Sequence, residues 1–543
     1  SYRNIELENC SNFDISENSF SSFEDAGIGL NLCINPFTIQ SNTLTSTISD
    51  DDAIYITSCT GAAGFIVSNN FIHMQNYGYD VYGLNLTTSA YGKIYHNSIN
   101  IVGDQRENRA FYNNNSSNLT IKNNSFVCSE AGYAFHNNKT DAITASDNNN
   151  LYTNGNYIIY WGTTNFETLQ DFIDDGTTTT ETNSISAYPG YTSATDLHTN
   201  SPWLDEAGAD LTGIIDVDID GEARDASPDI GADEYNSTIS PITGSKTIAT
   251  SGGDYTSLSL AVADIVLKGI SGNVIFNIQN GTYTGQVEIP QLSKENALDS
   301  VIFQSASGNA NDVTISANPS AADNYVINLK GADYVTFKNM KFQSGSDQYA
   351  VIFRFEGSCK HINILNNALE GRSVESAGIE DAILYSNTGN AVNNGILEDI
   401  LIQNNTLTGG SHGIYFINNS SISSEGIKIL DNTINIFLTG IYLQYYAAPI
   451  VSNNYITMLR YGGSGIKFDN VGSSASSGLR ITYNEIYSDT YTDDAYGGIA
   501  IKNSNASANR GLIANNAVKL NSFNSGVRAI GIRVESSNNH DVY

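Results

Sequence analysis

The sequence predicts an all-β fold: two right-handed parallel β-helices (solenoids) joined by a closing segment, a linker and a capping helix. Three observations predict it. A six-residue phrase (apolar, any, polar, Asn, any, apolar) recurs with a period mostly in the twenties. A second phrase, Gly-Ile-any-apolar, falls between its later copies. The composition is rich in Asn, Gly, Ser, Thr and Tyr and holds only 8 Pro, the mixture of many short strands and tight turns.

The first phrase opens as Ile15-Ser16-Glu17-Asn18-Ser19-Phe20 and returns around Asn42, Asn70, Asn97 and Asn124. In the second half Met340 takes the Asn slot, followed by Asn367, Asn405, Asn432, Asn454, Asn484 and Asn516. The one long step fits an insertion around residues 370–398. Short strands at such a period mark a solenoid. Helical repeats are excluded because no i, i+3, i+4 pattern runs through the chain, and a leucine-rich framework is absent. In a parallel β-helix each turn lies about 4.8 Å from the next, and alternate side chains fill the bore. The recurring Asn is expected at the bend, in a left-handed backbone, with its amide bonded along the axis.

Five segments follow. Residues 1–160 read as part of a first β-helix. Residues 161–235 read as a closing segment, with a short amphipathic helix over 168–173. Residues 236–246 read as linker. Residues 247–290 read as the cap of a second unit: Leu258, Ala261, Val262, Ile265 and Val266 share one helical face, with Asp254 as N-cap and Gly269 as stop. Such a helix would cover the open first turn, an edge that otherwise recruits other chains. Residues 291–543 read as the second β-helix. Both chain ends read as strand, so they are expected to be cuts through a longer protein.

Charge narrows the partners. The chain carries 57 acidic residues against 25 basic ones, which argues against nucleic acid and against an anionic leaflet. No apolar run approaches a membrane span, so direct membrane insertion is not expected. Of the five cysteines, Cys10, Cys33, Cys59, Cys128 and Cys359, none forms a CxxC pair. The first three fall about one repeat apart, as a column of thiols or as one bridged pair with a third.

Catalytic readings are weighed against structural ones. Asp51-Asp52-Ala53-Ile54 and Ser411-His412-Gly413-Ile414 each match part of a galacturonan hydrolase site, but they lie in different rods. The first phrase also recurs, as Glu380-Asp381-Ala382-Ile383 and Asp493-Asp494-Ala495, which suits strand-entry turns. A lyase needs a basic group, for which Lys338, Lys341, Arg354 and Lys360 are the best local set. An esterase pairing of Asp and Arg from different turns stays open. The metal candidate is Asp216, Asp218 and Asp220 before Gly221, the first half of a calcium loop. Ser227 stands where its last acidic ligand belongs, and the alternative is that these aspartates pair with Arg224 and cap local turns. The seven histidines read as turn or surface residues. The 32 Tyr offer stacking surfaces for neutral sugars, or simply pack.

The motifs Ser201-Pro202-Trp203-Leu204-Asp205, Asp218-Ile219-Asp220-Gly221-Glu222-Ala223-Arg224 and Pro228-Asp229-Ile230-Gly231-Ala232-Asp233-Glu234-Tyr235 resemble the choice-of-anchor closing segment of bacterial surface β-helix proteins. Glu206 departs from that pattern. The start of the second unit, Thr247-Ile248-Ala249-Thr250 through Gly281-Thr282-Tyr283-Thr284, is similar to pectin-lyase-like repeats of giant secreted adhesins of Bacteroidetes-type bacteria. The resemblance implies tandem units on a Gram-negative cell surface, exported by a type IX route and serving attachment or gliding motility. It implies an extracellular glycan or solid surface as partner, together with neighbouring repeat units of the same chain. A polysaccharide lyase, hydrolase or esterase on the same scaffold is the alternative.

Overall fold

The structure is a computed structural model that describes residues 3–48, 52–176, 178–349, 351–373, 378, 381–387, 396–418, 424–459, 462–491, 497–506, 509–522 and 530–543. The chain divides into two compact units, Ser1–Pro241 with Leu267–Gly269, and Ile242–Val266 with Ile270–Tyr543. Fourteen of the 29 residues of the insertion expected over 370–398 lie outside the described residues.

In the first unit a full coil contributes one strand to each of three sheets. One coil runs Ala26–Asn31, Ile34–Gln40 and Thr43–Ser46, and the next begins at Asp52–Thr57. Pairing between coils is parallel and residue for residue. Ile28, Ile54, Leu84, Phe111 and Phe135 therefore follow one another in a single file. Their side chains are buried and fill the bore. Phe13, Phe37 and Phe65 stack with centroids 5.0 Å apart at each step. At the far end the strand Thr164–Phe166 turns back antiparallel on Ile159–Trp161. Helix α1 (Leu169–Asp175) follows, with a capping box between Thr168 and Asp171 and a left-handed stop at Gly176. Leu169 and Phe172 bury against the end of the core.

Among the described residues the second unit repeats the plan with sheets of 11, 9 and 9 strands and one further two-stranded pair. The expected start at residue 291 is too late. Ile270–Ile278, Gly281–Thr284 and Val287–Pro290 already occupy the three sheets, and Ile242–Ile248, expected as linker up to residue 246 and as cap from 247, pairs parallel to Ile270–Ile278. The reason is helix α2 (Leu258–Lys268), which acts as the crossover between those two parallel strands. Its buried face is Leu258, Ala261, Val262 and Ile265. Asp254 is not its N-cap: that carboxylate accepts the Thr247 N–H at 2.6 Å, and Ser257 Oγ accepts the Leu260 N–H at 3.2 Å.

The asparagines align in two ladders. Asn18, Asn42, Asn70, Asn97, Asn124 and Asn149 are joined by Nδ2–H···Oδ1 bonds of 2.9–3.0 Å. Each Oδ1 from Asn42 onward also accepts the backbone N–H of the Asn one coil earlier. The second unit repeats this from Met340, whose N–H donates to Asn367 Oδ1, through Asn405, Asn432, Asn454 and Asn484 to Asn516. The left-handed backbone, expected on the ladder Asn, belongs to the residue before it. Glu17, Ser41, Asn69, His96, Asn123 and Asn148 have φ of 51–59°. One left-handed residue bends the chain sharply and so turns the next side chain inward.

That bend leaves an outward file of side chains, and the closing segment docks on it. Asn69 Nδ2 donates to Val217 O at 2.7 Å. Asn123 Nδ2 donates to Ala209 O and its Oδ1 accepts the Ala209 N–H, both at 2.8 Å. Asn148 Nδ2 donates to Ala207 O at 3.1 Å. The segment thus runs along the coil's corner, whereas α1 lies at its end. The ladder itself finishes on Glu181, 1% exposed, which accepts from Asn149 Nδ2 at 3.1 Å and from Ser146 and Ser184 hydroxyls.

Candidate functional site

One sheet in each unit carries an outward strip of aromatic and charged side chains. In the second unit the phrase Gly-Ile-any-apolar builds it from Gly413 onward. Gly and the residue after Ile alternate with the inward Ile and the final apolar residue. At Gly413 a side chain has no room, because a Cβ would lie 2.6 Å from Gly440 O. The variable position lies on the face away from the bore, where Tyr442 is only 8% and Ala500 2% exposed, and parallel register stacks it coil upon coil.

In the second unit this file reads Arg354, Tyr385, Tyr415, Tyr442, Lys467, Ala500, Arg533. The rings of Tyr385 and Tyr415 stack at 6.1 Å, and those of Tyr415 and Tyr442 lie 4.8 Å apart. Lys467 Nζ sits 4.8 Å from the Tyr442 centroid. Burial lowers the Lys467 ammonium from its ordinary value, against the raising effect of Asp469. His412, edge-on to Tyr415 at 5.1 Å, is pushed down to about 4 by burial and by Lys467.

The equivalent file of the first unit is Tyr55, Asn85, Tyr112, His136, Tyr160. Beside it, Tyr82 stacks on Tyr112 at 5.3 Å. The Arg109 guanidinium lies 4.9 and 4.7 Å from those two rings. Arg109 Nε donates to His136 Nδ1 at 2.9 Å, and His136 Nε2 meets Asn138 Oδ1 at 2.9 Å. That requires a neutral ring, consistent with burial and then Arg109 pushing its pKa down to about 3. Asp52, 3% exposed, accepts from Asn85 Nδ2 at 2.9 Å. Together with Tyr55, Tyr82 and Tyr112 it lines a cleft of about 440 Å³.

The candidate calcium residues do not converge. Asp218 is buried and its oxygens accept the N–H groups of Asp220, Glu222 and Glu234 at 2.7–3.0 Å. Asp216 Oδ1 accepts the Gly213 N–H at 2.6 Å. These two therefore cap local turns, the alternative weighed above. Arg224 pairs instead with Glu234 at 2.7 Å. Asp220 meets His198 Nε2 at 2.7 Å. The group of His, Cys, Asp or Glu side chains close enough to share an ion, among the described residues, is His198, Asp220 and Asp233.

The lyase set is dispersed over the surface. Lys338, Lys341 and Arg354 lie on three different sheets, and Lys341, Arg354 and Lys360 pair with Glu370, Glu356 and Glu398. Asp51, Glu380, Asp493, Asp494 and Ala495 lie outside the described residues. His73, His136 and His412 lie on strands and are at most 5% exposed, not turn or surface residues, whereas His96 is a fully buried residue of the corner turn. The five cysteines are free thiols. The Tyr file had a signal in the sequence, the variable place of the Gly-Ile phrase. The His198 group had none, since no regular spacing links its members.

A family model described as "Right handed beta helix region" matches residues 3–173, which agrees with the fold and the hand expected from the repeat. A solved structure of a point mutant of AlyGC, a PL6 family alginate lyase, aligns over 95% of this chain and 85% of that one, at 10% identity and a TM-score of 0.21. No curated protein matches the chain.

Proposed function

We propose that the chain is an adhesive segment of a large bacterial cell-surface protein, in which each β-helix presents its tyrosine-bearing strip to an extracellular polysaccharide. The observation that carries this reading is the in-register file Tyr385, Tyr415, Tyr442 with Lys467, matched by Tyr55, Tyr112 and Tyr160 at the equivalent sheet. In the second unit successive rings stand one coil apart, with centroids 6.1 and 4.8 Å apart, a spacing close to that of sugars in an extended glycan, whereas Asn85 and His136 separate the tyrosines of the first unit. Aromatic faces take the apolar face of a pyranose, and Lys467 and Arg109 suit its hydroxyl or carboxylate groups. Extracellular placement and secretion belong to the same proposal.

Stacking contributes about 0.5–1.5 kcal/mol per ring. The pair Tyr415→Ala and Tyr442→Ala should therefore weaken binding by about 30-fold. The control is Tyr455→Ala, an exposed ring on another sheet. The test is a binding titration of the whole chain against neutral and uronate-rich polysaccharides, with product release followed in parallel. Binding lost in the double variant and kept in the control supports the reading. Turnover of any polymer would replace it with the lyase, hydrolase or esterase reading.

A further inference from the structure

The closing segment of the first unit brings together three side chains that the sequence scatters. Ligating atoms of His198, Asp220 and Asp233 all lie within 4.8 Å of one another. Each is held by a residue outside the group. Asp196 takes His198 Nδ1, which fixes the ring and points Nε2 at Asp220 Oδ2, 2.7 Å away. The ring also packs edge-on against Phe71 at 4.9 Å. Asp233, 8% exposed, is anchored by the Thr199 N–H at 3.2 Å. Asp220 stands on the turn that Asp218 staples through the Asp220 and Glu222 N–H groups.

A carboxylate behind an imidazole, with the other ring nitrogen facing two further carboxylates, is the arrangement that orients metal-bound histidines. Three carboxylates around one imidazole also leave an excess of negative charge, which a divalent cation would neutralise. We propose that His198 Nε2, Asp220 and Asp233 bind a divalent transition cation of the zinc class, with water completing the coordination. The donor set decides the class. One nitrogen and two carboxylates suit zinc, whereas calcium takes six to eight oxygens and gains little from an imidazole. The site would clip residues 196–198 to the 218–222 turn and to Asp233, bracing the closing segment internally.

The test is equilibrium dialysis of the intact chain against zinc, with bound metal measured by mass spectrometry. One zinc per chain is expected, not displaced by an excess of calcium. Asp196→Asn, which removes the charge behind the imidazole and leaves an oxygen to accept the His198 backbone N–H as Asp196 Oδ1 does at 3.3 Å, should weaken binding by about 10- to 100-fold. His198→Ala should abolish it, and Asp216→Asn should leave it unchanged. Zinc should also raise the melting temperature of the wild type and not of His198→Ala. Should His198→Ala fail to fold, Asp220→Asn replaces it, since that side chain is 55% exposed. Absence of stoichiometric zinc, equal binding by wild type and both site variants, or displacement by equimolar calcium would overturn the proposal.

Discussion

Truncating one ladder asparagine in mid-coil should cost far more, in this chain, than truncating the one at the first described rung. Asn97 is fully buried. Its Oδ1 accepts the Asn70 N–H at 3.2 Å and Asn70 Nδ2–H at 2.9 Å. Its Nδ2 lies 2.9 Å from Val67 O, 3.1 Å from Tyr95 O and 2.9 Å from Asn124 Oδ1. Asn97→Ala removes these bonds and strands the Asn70 N–H where water does not reach. Each lost bond is worth about 1 kcal/mol, and an orphaned buried donor about 1–3 kcal/mol. The expected loss is about 3–5 kcal/mol, a fall in melting temperature of roughly 6–20 °C for a unit of this size. Asn18, half-buried at the first described rung, donates its side chain to Ser16 O and Asn42 Oδ1, and among the described residues its Oδ1 accepts from no ladder residue. Asn18→Ala should cost about 1 kcal/mol. Calorimetry measures both, and amide exchange at Asn70 should quicken in Asn97→Ala. If Asn97→Ala falls within about 0.5 kcal/mol of wild type, the range of ordinary surface changes, the ladder does not hold the coil.

Other predictions concern the closing segment and the thiols. Burial lifts Asp229 to about 7 and Asp233 to about 6, both above their unfolded values. The folded state then holds the extra protons, so the first unit loses stability as pH rises from about 4 to about 7; Asp229→Asn should flatten that slope in denaturation curves run across this range. His136 has the opposite sign: with its folded value pushed down to about 3, its contribution is present above about 6.5 and fades as pH falls. Asn123→Gly keeps a backbone that tolerates positive φ but deletes both bonds to Ala209, so limited proteolysis should cut faster within residues 200–235 while the coil stays intact. Burial raises the Cys59, Cys128 and Cys359 thiols to about 12, so an alkylating reagent should reach Cys10, the half-buried one, before any of these, and all five only after denaturation, as peptide mass mapping would record.

The ladder was legible in the sequence because a hydrogen-bonded file needs the same side chain in every coil, and Asn42, Asn70 and Asn97 could not vary without stranding an amide. The left-handed corner was misplaced by one residue. Asn fills that corner at Asn69, Asn123, Asn148, Asn366, Asn404, Asn453 and Asn515, so the doublet Asn-Asn carried a signal, but Glu17, Ser41 and His96 break the run in the first coils and the better-kept second Asn drew the assignment. The tyrosine strip was half visible: the Gly and Ile of its phrase obey packing and recur, while the position between them is free to differ and carries the chemistry. Asp216, Asp218 and Asp220 mimicked a calcium loop because a turn stapled by carboxylates needs the same residues at the same spacing. His198 and Asp233 meet Asp220 only through an irregular path laid over a coil, a path that local pattern does not encode.

The most direct measurement of the polysaccharide reading is affinity against oligosaccharide length, using wild type and the Tyr415→Ala, Tyr442→Ala double variant. A strip of stacked rings predicts that affinity climbs with each added sugar until the three tyrosines of the second unit are covered, and that the climb vanishes in the double variant. Affinity that is flat with length, or a climb untouched by removing both rings, would contradict it.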